Sequence, residues 1–114
     1  MKLNRRLLIL ATTGMLASGV QAQTTQGVSD NEIVIGTHID LSGPAAPGMP
    51  MLRNGMQLRI DELNAAGGVH GRKIKLIVED NGSQPQLAVR AVQKLIKSDS
   101  VFAIVNPFGS GPNA

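Results

Sequence analysis

The chain contains no cysteine. That absence excludes a disulfide framework, a thiolate metal site, a catalytic thiol and a lipid-modified N-terminal cysteine. A long hydrophobic run is missing too. Leu7 to Val20 is mostly apolar, but Thr12, Thr13 and Ser18 interrupt it, and it falls short of the ~20 residues that span a bilayer. No G-x-G-x-x-G follows the first apolar run and no G-K-[ST] occurs, so dinucleotide and P-loop chemistry lack their phosphate-cradling residues. Phe108-Gly109-Ser110-Gly111-Pro112 lacks the outer glycines of a nucleophile elbow. A phospho-acceptor domain needs an aspartate after its third strand, and Asn106 stands there. His38 and His70 are the only histidines; they belong to no ligand-spacing motif and are expected to be structural. These absences predict no metal, no cofactor and no enzyme.

What is present starts with export. Lys2, Arg5 and Arg6 form a basic start, an apolar segment follows, and Val20-Gln21-Ala22 offers small residues at a cleavage site. Residues 1–22 therefore read as a secretory signal peptide. The Arg5-Arg6 pair fits a basic n-region or a twin-arginine route alike. Removing Lys2, Arg5 and Arg6 leaves eight basic residues against eight acidic ones. The sequence pI of about 9.8 thus belongs mainly to the export segment and is no sign of nucleic-acid or anionic-membrane binding. A periplasmic location without lipid anchor is expected.

Residues 23–31 are polar and read as a flexible lead-in. Ile33 to His38 is a short β-branched run, the pattern of a strand buried on both faces, and Gly36 within it would admit close backbone. Asp40 to Pro50, with three prolines and two glycines, is an irregular, stiff loop of the kind that contacts ligands. From Met51 the pattern is helical: Leu52, Met56, Ile60 and Leu63 share one face, while Arg53, Asn54, Gln57, Asp61 and Asn64 point elsewhere. Gly55 suits tight packing on a sheet, and Met49, Met51 and Met56 read as core filling, with a methionine-rich partner groove as the alternative.

Asn64 to Lys73 contains Gly67, Gly68 and Gly71, a helix stop followed by a turn. Lys73 to Glu79 is the second strand, and Asp80-Asn81-Gly82-Ser83 a turn. Glu79-Asp80 reads as a solvated strand end, with acid/base or metal work as the lesser alternative. Pro85 opens a second helix, with Leu87, Ala88, Ala91, Val92, Leu95 and Ile96 as its stripe and Lys94 and Lys97 near its end. Val101 to Val105 is a third strand. The chain then stops in a Gly/Pro-rich stretch, Phe108 to Ala114, so it is expected to be the N-terminal part of a longer protein.

The order β-α-β-α-β predicts an α/β fold, a parallel sheet flanked by helices. Ligands of such sheets bind outside the carboxyl ends of the strands, where strand order reverses. With the first strand central, two loops line that crevice: Asp40 to Pro50 and Asn106 to Ala114. Each should lead into a helix N-terminus, which suits a carboxylate or other anion, with Ser42 and Ser110 adding hydroxyl donors.

The combination of Asp40-Leu41-Ser42-Gly43-Pro44, Leu63-Asn64-Ala65-Ala66-Gly67-Gly68-Val69-His70-Gly71-Arg72-Lys73, Val78-Glu79-Asp80-Asn81 and Gln84-Pro85 resembles one family. It is similar to the leucine/isoleucine/valine-binding group of periplasmic substrate-binding proteins of ABC transporters, with the type I periplasmic-binding-protein fold. The resemblance covers residues 32–114 and implies part of the N-terminal one of two lobes that close over a small ligand. It further implies that Ser110, with nearby backbone amides of Phe108 and Gly109, holds the ligand's carboxylate, and that Leu41, Ser42 and Gly48 border the ligand. The family's covering aromatic corresponds to Gly48 here, so a larger or aromatic carboxylate competes with a branched-chain amino acid as ligand. Implied partners are that small carboxylate and a membrane permease, with a monomeric receptor and no nucleic acid. An exported sensor of amides or signals, and an exported enzyme, are the competing classes.

Overall fold

A computed structural model describes residues 24–109; the signal-peptide reading, Gln23 and the segment Ser110–Ala114 lie outside the described residues. Three strands and two α-helices follow one another, β1 (Glu32–Ile39), α1 (Met49–Ala65), β2 (Lys73–Asp80), α2 (Pro85–Lys97) and β3 (Ala103–Ile104), with a short 3-10 helix, Ala46–Gly48, leading into α1. The strands form one sheet in the order β2-β1-β3, and both pairings are parallel. Glu32 to Ile39 pair one-to-one with Lys73 to Asp80, so β1 and β2 end level with each other. The expected α/β architecture, with the first strand central, is what the chain adopts.

Successive strand residues face opposite sides, and β1 shows which helix covers which. Ile35 lies with Leu52, Met56 and Ile60 of α1 around one cleft. On the opposite side, Leu95 of α2 reaches the Gly36 backbone, where a Cβ would lie 2.7 Å from its Cδ2. A side chain rather than backbone thus fills the space that Gly36 leaves. Ile39 and Leu95 are fully buried, with Ala88, Ala91 and Val101 close to it. The predicted stripe of α2 therefore forms the tighter half of the core. On α1, Ile60 and Met49 are buried, but Met51 is 83% exposed and fills no core. At Gly55 a Cβ would meet nothing within 4 Å, so this glycine lines an open apolar cleft instead of packing on the sheet.

The corner between α1 and β2 closes as its glycines predict. Gly67 and Gly68 take φ of +106° and +76°, the left-handed region that glycine enters without penalty, and the Gly68 N–H donates to the Leu63 carbonyl (2.8 Å). Asn64, expected to point away, turns onto the sheet. Its Nδ2 donates to the Ile74 carbonyl (2.8 Å) and its Oδ1 accepts from the Ile74 N–H (2.7 Å), so one side chain supplies both halves of a strand-like pairing.

Two other expectations change. Residues 24–31 are held rather than free: the Val34 N–H donates to the Gly27 carbonyl (2.8 Å), and Gln26 Nε2 donates to the carbonyls of Ile96 and Val101 (both 3.1 Å). The third strand is shorter than Val101 to Val105. The Val101 N–H donates to the Leu95 carbonyl of the preceding helix, and at Asn106 the backbone takes φ +46°, which asparagine tolerates and which turns the chain out of the sheet.

Because Leu95 fills the space over a glycine, neighbours have little room to collapse around a cavity. Leu95→Ala in the full-length protein is expected to cost about 2–5 kcal/mol, read as a lowered urea midpoint; an unchanged midpoint would remove Leu95 from the core.

Candidate functional site

The carboxyl ends of β1 and β2 are built around two aspartates. Asp40 follows β1 and is fully buried. It accepts from the N–H of Gly43 (2.5 Å) and of Ala45 (2.7 Å) within its own loop, and from Ser83 Oγ (2.6 Å) in the loop after β2. Asp80 does the converse. It accepts from the Leu41 N–H (2.8 Å) and Ser42 Oγ (2.5 Å) of the first loop, and from the Gly82 N–H (2.9 Å) of its own. Each carboxylate thus ties its own loop to its neighbour's. Asp80 is solvent-exposed, as expected of a strand end, but its carboxylate is committed to the two loops rather than free. Glu79 is likewise engaged, accepting from Lys94 Nζ at 2.6 Å.

Gly43 is required by this bracing. A Cβ there would lie 2.5 Å from the Gly82 carbonyl oxygen and 2.7 Å from Asp40 Oδ1, inside any real contact distance.

The loop leaving β3 is fixed to β1 and its surroundings by three bonds. Thr37 Oγ1 donates to the Asn106 carbonyl (3.2 Å), the Phe108 N–H donates to the His38 carbonyl (3.0 Å), and Asn81 Nδ2 donates to the Phe108 carbonyl (2.8 Å). Asn81 and Thr37 are both fully buried. This brings Phe108 and Gly109 alongside the end of the central strand, as the strand order requires. Leu41 is exposed and is held at the same edge of the sheet through its bond to Asp80. Ser42 is placed there too, but its single hydroxyl hydrogen is committed to Asp80. Gly48 precedes α1 as its N-cap, with no side-chain cap bond, and opens onto free space. Ser110 lies outside the described residues. Among the described residues no cluster of side chains suited to a metal ion occurs, and no helix is long and apolar enough to cross a membrane.

Sequence reasoning passed over Asp40, Asn81 and Thr37 as individual residues. A signal existed for the first two. An Asp or Asn closing a strand just before a Ser/Gly turn is the pattern of a side chain that caps backbone N–H groups, and here it occurs at both strand ends.

Burial would raise both aspartates, but the hydrogen bonds outweigh it. Ser83, Ala45, Gly43 and Ser42 hold Asp40 below the ordinary carboxylate range, and Ser42, Leu41 and Gly82 do the same for Asp80. A folded value below the unfolded one adds stability that is present above about pH 4 and is lost as pH falls through the folded value. In full-length protein, Asp80→Asn turns an amide donor toward the Leu41, Ser42 and Gly82 donors. It is expected to lower the urea midpoint at pH 7 and to flatten its decline between about pH 4 and pH 2. An unchanged acid slope would show that Asp80 is not held below its ordinary value.

Comparison with known proteins is consistent with this geometry. Residues 32–114 match the periplasmic binding protein family. A curated relative, the Leu/Ile/Val-binding protein BraC3 of Rhizobium johnstonii, is 35% identical over 80 residues, 70% of this chain and 22% of that protein. The crystal structure of the branched-chain amino acid transporter substrate-binding protein LivJ from Streptococcus pneumoniae, in complex with isoleucine, superimposes with a TM-score of 0.68 and 35% identity, covering 73% of this chain and 24% of that one. A fatty acid ABC transporter substrate-binding protein from Thermomonospora curvata gives a TM-score of 0.70 and 36% identity, covering 79% and 23%. The chain thus spans about a quarter of the length of the proteins it matches. With a family match over most of its length and the fold to go with it, the chain belongs to the periplasmic binding protein family.

Proposed function

We propose that the full-length protein is an extracytoplasmic solute receptor that captures a small carboxylate, an amino acid or a larger organic acid, and delivers it to the permease of an ABC transporter. The observation that carries this reading is the placement of two loops at the carboxyl ends of adjacent parallel strands, β1 and β3, in a chain of this family. Such a crevice at a change of strand order is where α/β sheets take their ligands.

Two further features agree with it. The N-terminal segment of residues 1–22 has the composition of an export signal, which fits a periplasmic receptor. The two solved neighbours named above are described as isoleucine-bound and as serving fatty acids; both ligand classes carry a carboxylate. In the present protein that group would meet the backbone of Phe108-Gly109 and the Ser110 hydroxyl. Leu41 and Gly48 would border the remainder of the ligand. The open space over Gly48 leaves room for a side chain bulkier than that of a branched-chain amino acid, so an aromatic acid is a ligand of equal standing.

A thermal-shift screen of full-length protein against amino acids, fatty acids and aromatic acids is expected to find a class that raises the melting temperature by mass action. No shift with any carboxylate would refute the reading. For the ligand so found, Ser110→Ala is expected to weaken binding by roughly 1.5–3 kcal/mol, the worth of a hydrogen bond to a charged group. Calorimetry showing the parent affinity would remove Ser110 from the site.

A further inference from the structure

Asn81 is fully buried, and its side-chain amide meets three partners that come from three different parts of the chain. Its Oδ1 accepts from the Ser83 N–H (2.9 Å) in the loop after β2. Its Nδ2 donates to the Phe108 carbonyl (2.8 Å) in the loop after β3. The same Nδ2 lies 2.9 Å from Nδ1 of His38, on the central strand.

This arrangement fixes the hydrogens. The Ser83 N–H can bond only an oxygen, and turning the amide over would set oxygen against the Phe108 carbonyl oxygen. Nitrogen therefore faces Phe108 and His38, with one hydrogen for each. It follows that His38 Nδ1 must accept, and the ring is neutral with its proton on Nε2. Protonating Nδ1 would place a donor against a donor and release the amide.

Among the described residues, no charged neighbour offsets this. Glu79, the residue paired with His38 on β2, is taken by Lys94 of α2. Asp40 and Asp80 are occupied by the loop N–H and hydroxyl groups described above. Burial accordingly lowers the His38 imidazole below its ordinary value, which keeps the acceptor form in place at neutral pH.

We propose that Asn81 is a positioning residue for ligand capture: held by neutral His38, it sets the Phe108 carbonyl and thereby the pose of the loop that receives the ligand carboxylate. This rests on the solute-receptor reading for the identity of what is captured, but not for the latch itself. Ligand contact is made by the loop; Asn81 acts only through it. Asn81→Asp keeps the shape and still accepts from Ser83. However, it sets oxygen against the Phe108 carbonyl and draws a proton onto His38 Nδ1, so the loop is released while the His38 titration moves up.

The test uses full-length protein with L-isoleucine and benzoate as probes, and histidine labelled with nitrogen-15. In the parent at neutral pH, the His38 Nδ1 resonance is expected in the unprotonated, acceptor range. Asn81→Asp should shift the His38 titration to higher pH and weaken whichever probe binds by about tenfold or more at a temperature where the variant is folded, as expected for one buried hydrogen bond. Asn81→Ala should speed hydrogen exchange at Phe108 and Gly109 while β1 stays protected. A variant that is less heat-stable yet binds with parental affinity would make Asn81 merely structural and overturn the proposal, as would a protonated Nδ1 in the parent. If neither probe binds the parent, isoleucine and benzoate are excluded as its ligands. The His38 resonance and the Phe108 and Gly109 exchange then decide the latch on their own.

Discussion

A carboxylate accepts hydrogen bonds and donates none, and the carboxyl edge of this sheet depends on that one-sidedness. Leaving a parallel sheet for a helix strands a series of backbone N–H groups, which must find acceptors. Asp40 and Asp80 stand at the level ends of β1 and β2 and collect them from both loops at once. Ser42 and Ser83 cross between the loops, each hydroxyl donating to the aspartate of the other's strand. The two loops are consequently one braced unit. An amide in either position could not serve, because half its polar surface would be donor.

The bracing also explains which residues have freedom there. Gly43 has none, since the Gly82 carbonyl and the Asp40 carboxylate occupy the space beside it. Gly48, five residues on, has nothing near it. The first loop is therefore rigid where it touches the sheet and open where it approaches α1. Its rigid part is scaffold, and its open part is the portion free of that bracing.

The alternation of strands and helices was legible because periodicity and turn residues act locally. The β-branched run at Ile33, the helical stripe through Leu95, Pro85 at a helix start and the Gly67-Gly68 stop each announce themselves within a few residues. Strand order was legible only as a condition, that β1 be central, which the pairing satisfies. What stayed hidden involves partners far apart in sequence. The engagement of the exposed Asp80 was hidden because nothing near it in sequence shows that Leu41 and Ser42 supply donors. Asn64 looked outward-facing because helical periodicity is silent on a side chain that folds back to pair with Ile74. The third strand was overestimated because Val101 to Val105 has the right composition, while Leu95 takes the Val101 N–H and Asn106 turns the chain away. Of the candidate site, Leu41, Gly48, Phe108 and Gly109 stand at the expected end of the sheet, a result of strand direction alone. The commitment of the Ser42 hydroxyl to Asp80 follows only from three-dimensional proximity.

These features together divide the labour between the two ends of the sheet. At the amino end, the Asn64 to Lys73 corner is closed by left-handed glycines and by the Asn64–Ile74 pairing, and it presents no group toward the crevice. At the carboxyl end, every loop is referred back to β1: the first through Asp40, the second through Asn81 beside His38, and the third through Thr37, the His38 carbonyl and Asn81. A crevice whose two walls are both fixed to one central strand needs little ordering when a ligand arrives, and the loss of freedom that binding normally costs is reduced accordingly. The width of the crevice is then set by hydrogen bonds of the backbone and of buried polar side chains. On the receptor reading proposed above, discrimination between ligands would fall to residues that border the space without holding it, such as Leu41 and Gly48.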